Sequence, residues 1–165
     1  MRTDPWSDDP CPIARAMAVI GQRWSMLIIR EAFLGRTRFS EFKEQLGIAS
    51  DVLSARLAEL VSAGVLATVE YREPGDRARS RYELTQSGRD LVVVLGAIGQ
   101  WGYKHADRSK GTPYQFVDSN GESVIAGFRH RDGAAAASTD VRLVSTAAPS
   151  SRRQHPDLPA GRTAM

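Results

Sequence analysis

The chain has one cysteine, Cys11, among 165 residues. It cannot close a disulfide within the chain, which points to a reducing compartment. No run of 18 or more apolar residues occurs, so no segment reads as a membrane span. The opening MRTDPWSDDP lacks the apolar stretch of a signal peptide. Together these absences predict a cytoplasmic protein with no membrane partner. Histidine is scarce as well: His105, His130 and His155 lie too far apart for metal-ligand spacing. There is no glycine-rich phosphate loop, nucleophile elbow or His-Glu-x-x-His. No catalytic residue, metal or cofactor is therefore expected. Net charge is also small, with 22 basic against 19 acidic residues, or +3. A histone-like, globally basic protein is excluded, and affinity for an acidic partner must come from where the charges sit.

What is present is helical periodicity over the first two-thirds. After a polar leader, residues 1–10, CPIARAMAVI sets Ile13, Ala16, Met17 and Ile20 at helical spacing, with Pro12 suited to a first turn. Gly21-Gln22 interrupts it. RWSMLIIREAFL is apolar on nearly every side, as a central core helix would be, and Gly35 is placed to end it. RFSEFKEQLG carries an inward stripe of Phe39, Phe42 and Leu46. Ser50 is then the expected N-cap of DVLSARLAELVSAG, in which Leu53, Leu57, Leu60 and Val61 face one way and short or polar residues the other. Two helices joined by a tight turn, the second with a slim polar face, meet the requirements of a helix-turn-helix.

Val65 to Arg72 has strand composition, and its return arm is Ser80 to Leu84. Between and along them YREPGDRARSRYELT places four arginines on one hairpin: Arg72, Arg77, Arg79 and Arg81. Thr85 should cap a single long helix from Gln86, striped by Leu91, Val94, Leu95, Ile98 and Trp101, with Gly96, Gly99 and Gly102 every third residue. Beyond Ala106 the composition shifts. An Asn-Gly turn in YQFVDSNGESVIAGF, a second turn at HRDG and a third strand at DVRLVS predict a small β-rich extension over 106–146. Residues 147–165 have the composition of a disordered tail.

The order helix, helix, turn, polar-faced helix, hairpin, helix is that of a winged helix-turn-helix. The chain resembles the HxlR-type bacterial transcription regulators in CPIARAMAVIGQRWSMLIIREAFLGRTRFSEF, then GIASDVLSARLAELVSAGVL, then RYELTQSGRDLVVVLGAIGQWG. These cover Cys11 to about Trp101. Gln22 stands where the family usually has a second glycine, and Ser80 where a buried valine is usual. The fold class implied is α+β, mainly α: a winged helix-turn-helix domain over 11–105, a long C-terminal dimerisation helix and a small hairpin-like extension.

The resemblance also implies partners: double-stranded DNA, a second copy of the chain and a small-molecule effector. The helix that enters a major groove about 12 Å wide needs short outward side chains. Ser50, Asp51, Ser54 and Ala55 fit, and Arg56 could reach guanine. It could equally pair with Asp51 or Glu59. Arg72, Arg77, Arg79 and Arg81 on the wing, with Arg36, Arg38 and Lys43 near the first helix of the motif, are phosphate candidates because guanidinium is a planar, multidentate donor. The four wing arginines could instead serve as a charged edge that blocks strand aggregation. Leu91, Val94, Leu95, Ile98 and Trp101 are the expected dimer contacts. In some members of the family the cysteine of the Cys-Pro motif senses oxidants or electrophiles, which makes Cys11 the candidate redox sensor. The function implied is a dimeric, operator-binding regulator, a repressor. The alternative is a winged-helix module that binds protein, to which the near-neutral charge is suited.

Overall fold

The computed structural model describes residues 6–71, 79–107, 109, 111 and 114–144. Contacts divide the chain into two units, Met1–Ala126 and Gly127–Met165. The first contains α1 (Pro12–Ile20), α2 (Arg23–Phe33), α3 (Phe39–Leu46), α4 (Ser50–Ser62), β1 (Leu66–Tyr71), β2 (Arg79–Leu84), α5 (Gln86–Asp90) and α6 (Val92–His105). This mainly helical order with one antiparallel hairpin is the winged helix-turn-helix architecture.

Helix α2 is the hub, touching α1, α3, α4, β2 and α6. Its Ile28 and Ile29 meet Phe42 of α3, Leu53, Leu57 and Leu60 of α4 and Leu66 of β1, all fully buried. Each such side chain contributes about 1.5–3 kcal/mol on burial. The all-round apolar character of α2 is not matched by uniform burial, however. Leu34, just past its end, is exposed while Ser25 and Glu31 within it are buried, and Glu31 Oε1 accepts from Arg30 Nε at 2.9 Å and Nη2 at 2.6 Å. Helix α1 gives the core Ile20, with Val19 packed half-buried against it; Ile13, Ala16 and Met17 face outward.

Gly47, at φ 59°, closes α3 in a left-handed turn that a side chain would strain. Helix α4 then begins one residue earlier than expected. Ala49 occupies the N-cap without a side-chain bond and Ser50 is already helical, the Leu53 N–H donating to the Ala49 carbonyl at 2.9 Å. Ser50 therefore does not cap this helix.

Strands β1 and β2 pair from Leu66 opposite Leu84 to Tyr71 opposite Arg79. Thr85 anchors the end of the hairpin. Its Oγ1 accepts from the Gly88 N–H at 3.1 Å and donates to the Gly64 carbonyl at 2.6 Å. A Cβ on Gly88 would stand 2.2 Å from the Val65 carbonyl oxygen, so only glycine fits. The single long helix expected from Gln86 is two. Leu91 N–H bonds the Gly88 carbonyl at 3.2 Å, a three-residue turn, before Leu95 N–H resumes helical bonding to Leu91 at 2.9 Å. The tightened turn accompanies the packing of Leu91 against the core.

Residues 114–126 lie on α6. The Asp118 carbonyl accepts from Gly121 N–H at 3.1 Å, and Val124 N–H returns to the Phe116 carbonyl at 2.9 Å, forming the expected hairpin. Its turn places Gly121, not Asn120, in the left-handed region. Phe116 and Ala126 sit against Gly96, and Phe116 also reaches Gly99. Gln100 Nε2 donates to the Ala126 carbonyl at 2.9 Å, while Ala126 N–H donates to Gln100 Oε1 at 3.1 Å.

In the second unit, β3 (Phe128–Arg129) pairs with β4 (Ala135–Ala136) around the HRDG turn. A 3-10 turn, Ser138–Asp140, follows. The third strand expected at DVRLVS does not form across the described residues 140–144. Leu143, at 90% exposed, has no apolar surface there to bury against. The tail expected over 147–165 lies outside the described residues.

Candidate nucleic-acid interface

The amphipathic pattern of α4 sends Leu53, Leu57 and Leu60 into the core, so helical geometry turns Ser50, Asp51, Ser54 and Ala55 outward. All four are exposed, as are Ala58 and Ser62 farther along. The outward face near the helix start is thus short-chained, and a groove could approach it closely. Arg56 is half-buried and forms an ion pair with Glu59 one turn on. It lies beside the slim face rather than extended from it.

The wing sheet has a third participant that the sequence pattern did not reveal. Tyr82 N–H donates to the Thr37 carbonyl at 2.7 Å, and Arg38 bridges Arg81 as an antiparallel partner. The segment leading into α3 is therefore stitched to β2. Arg38, Arg79 and Arg81 are exposed. Strand alternation puts Arg79 and Arg81 on one face, and the bridge adds Arg38 to it. The Arg38 guanidinium lies 5.0 Å from the centre of the Tyr71 ring, and Arg81 Nε bonds Glu83 at 2.8 Å. Tyr71, overlooked as a support for Arg38, is signalled only by its position opposite Arg79. Arg36 is half-buried and Lys43 exposed on α3. Arg72 and Arg77 lie outside the described residues. Ser80, at the position of the usual buried valine, is exposed.

Glu41 orders the start of α3. Its Oε2 accepts from Thr37 N–H at 2.8 Å and from Arg38 N–H at 2.9 Å. The backbone bond from Arg38, then that from Thr37, then the nearby guanidiniums of Arg38 and Arg36 hold its carboxyl below the usual range. The same carboxylate thus fixes the backbone that carries Arg38.

Of the expected dimer stripe, Leu91 and Leu95 are half-buried against this chain, while Ile98 and Trp101 are 51% and 66% exposed. Val93 joins them at 60%. Cys11 is a free, exposed thiol at the N-cap of α1, its N–H bonded to Asp9 Oδ1 at 2.8 Å. Among the described residues no group of His, Cys, Asp and Glu is arranged to hold a metal, and no helix is long and apolar enough to cross a membrane.

Several known proteins share this arrangement. The Mycobacterium tuberculosis HTH-type transcriptional regulator Rv3095 is 41% identical over 101 residues, 61% of this chain and 63% of that one. The match therefore spans less than two-thirds of that relative. Bacillus subtilis YdeP, another HTH-type transcriptional regulator, is 31% identical over 62% of this chain and 80% of its own. The crystal structure of PA1607, named as a transcription factor, superposes with a TM-score of 0.71 at 40% identity, covering 84% of this chain and 96% of that one. The redox regulator HypR in its reduced form gives 0.53 at 26% identity, over 59% of this chain and 95% of its own. The PA1607 match is too long to stop at the end of α6, so that protein shares part of the extension. The family model for the HxlR-like helix-turn-helix matches residues 19–110, more than half of the sequence, and the chain belongs to that family.

Proposed function

We propose that this chain is a sequence-specific DNA-binding transcriptional regulator, a repressor, that grips a palindromic operator as a homodimer in the cytoplasm. The observation that carries the reading is the joining of Arg38 to Arg81 beside a helix-turn-helix whose second helix has a slim exposed face. Ser54, Ala55 and Arg56 would meet base edges, with Ser50 and Asp51 at the groove entrance. Arg38, Arg79 and Arg81, with Arg36, Lys43, Arg72 and Arg77, would meet phosphates and so position the protein without reading sequence. The exposed Ile98 and Trp101, with Val94 and Leu95, are the surface on which a second copy would pack, setting two α4 helices about 34 Å apart.

Response to a signal would act on that spacing, through a small ligand or through Cys11. HypR, which is named a redox regulator, supports the second route, as does the exposure of the Cys11 thiol. A Cys11→Ser protein that still releases DNA on diamide treatment would remove Cys11 from the mechanism. Neutralisation of Arg56 by Glu59 and Arg81 by Glu83 favours a second reading, a protein-binding winged-helix module. Selecting bound fragments from sheared genomic DNA separates the two. An enriched palindrome is expected, and failure to enrich any sequence would favour the module.

A further inference from the structure

A cavity of about 470 Å³ opens between α2, α6 and the arm at 114–117. Its walls are Met26 and Phe33 of α2, Val92 and Leu95 of α6, and Phe116, with Arg30 at one side. The size lies within the range of about 300–1,000 Å³ typical of small-molecule sites. Charge decides what such a site accepts. Arg30 is the charged residue of the lining, and its guanidinium is already engaged twice over. Nε and Nη2 both donate to the buried Glu31 carboxylate, and the Tyr114 ring lies 5.1 Å away. Glu31 thus already balances the Arg30 charge, so an anionic ligand would meet a neutral pair rather than an uncompensated cation and would gain little from its charge. The remaining surface is largely aliphatic, with the rings of Phe33, Tyr114 and Phe116 and the Met26 thioether set among Leu27, Leu95 and Ile98, which favours an apolar, uncharged molecule that can lie against a ring.

We propose that this cavity is a binding site for a neutral aromatic small molecule, one per chain. The occupant would touch two helices with different tasks. α2 holds α3 and α4 through Ile28 and Ile29, and α6 presents the exposed apolar face. A ligand that prefers one placement of α6 against α2 would shift that equilibrium by its differential affinity. The site thus gives the effector response proposed above a location, and its regulatory role rests on that reading. Binding itself does not, and is measured without DNA.

The test is a fluorescence titration of the full chain with N-phenyl-1-naphthylamine, an uncharged fluorophore. Saturable binding of one probe per chain is expected, with a shift of the Met26 methyl resonance. Val92→Trp on α6 and Leu34→Trp just past the end of α2, both residues of the cavity lining, should each weaken binding by about tenfold or more. Ser87→Trp, on exposed α5, should leave it unchanged. Circular dichroism establishes that each variant is folded, and the methyl shift in the unsubstituted protein stands even if a variant is not. Absence of saturable binding, an unmoved Met26 methyl, or undiminished affinity in both folded filler variants would overturn the proposal. So would tighter binding of the anionic 1-anilinonaphthalene-8-sulfonate, or binding that appears only on dilution to monomers, which would mean that a second copy occupies the cavity.

Discussion

Arg38 and Arg81 face each other as antiparallel partners, held by the 2.7 Å bond from Tyr82 N–H to the Thr37 carbonyl. Like charges placed opposite one another across a strand pair are destabilising. Here Tyr71 and Glu83 share the load, one beneath Arg38 and one beside Arg81. A phosphate at the same place would relieve the repulsion, so the arrangement is better suited to an anion than to water. Removing both arginines should therefore weaken DNA binding without unfolding the chain. Arg38→Ala/Arg81→Ala is expected to retain its melting temperature within a few degrees and to lose affinity on all sequences alike, as measured by fluorescence anisotropy.

The slim face of α4 predicts a different signature. Ser54→Glu adds a carboxylate to an exposed position, so stability should change by no more than about 0.5 kcal/mol. DNA binding should be abolished, since the new charge would face the groove. Arg56→Ala should instead relax preference at one base pair, at a cost of about 1–3 kcal/mol in discrimination. Its pairing with Glu59 is a modest obstacle, because exposed ion pairs contribute about 0–1 kcal/mol.

Acid should loosen the entry to α3. The folded pKa of Glu41 lies below its unfolded value, so its contribution is complete above the ordinary glutamate range and is lost as pH falls through the folded pKa. Glu41→Ala should cost about 1 kcal/mol at neutral pH. Denaturant melts of the two proteins should converge on acidification below about pH 4. A gap that stays constant down to the lowest pH would contradict the role assigned to this carboxylate.

Gly88→Ala is expected to be disproportionately harmful for one methyl group, because the new Cβ meets the backbone oxygen of Val65 rather than a side chain that could move. A loss of about 1–3 kcal/mol in a urea melt is predicted. Trp101→Glu should leave monomer stability nearly intact, since Trp101 is largely exposed in the single chain. If the chain pairs through this face as proposed, the variant should yield monomer in sedimentation equilibrium where the unsubstituted protein sediments as a dimer. Gln100→Leu removes both bonds to Ala126 and should raise amide exchange across 114–126 while leaving α4 unchanged.

How much of this could be read in advance follows from the range of the interactions. The leucine spacing of α4, and the glycines after α2, α3 and α4, are local signals, and the elements follow them closely. Thr85 as a cap was equally local. The break at Leu91 was not, because it accompanies packing of that side chain on a core assembled from distant residues. The Thr37–Tyr82 bond and the Arg38–Arg81 bridge join residues more than forty positions apart, with no periodicity to announce them. Ile13 and Met17 have core-like spacing yet stay exposed, since spacing defines a face without naming what covers it. The three-residue glycine spacing of α6 was plain in the sequence, but not that Phe116 is the group that packs on Gly96 and Gly99. The arginine-rich wing was visible as composition, and strand alternation puts Glu83 on the face of Arg79 and Arg81, where it pairs with Arg81.

The most direct test of the central claim is the salt dependence of affinity for a selected operator fragment. If Arg38, Arg79 and Arg81 of two copies each neutralise one phosphate, log affinity should fall against log salt with a slope of about −5. The Arg38→Ala/Arg81→Ala protein should be markedly shallower. A slope near zero, or one that the double substitution leaves unchanged, would contradict the account.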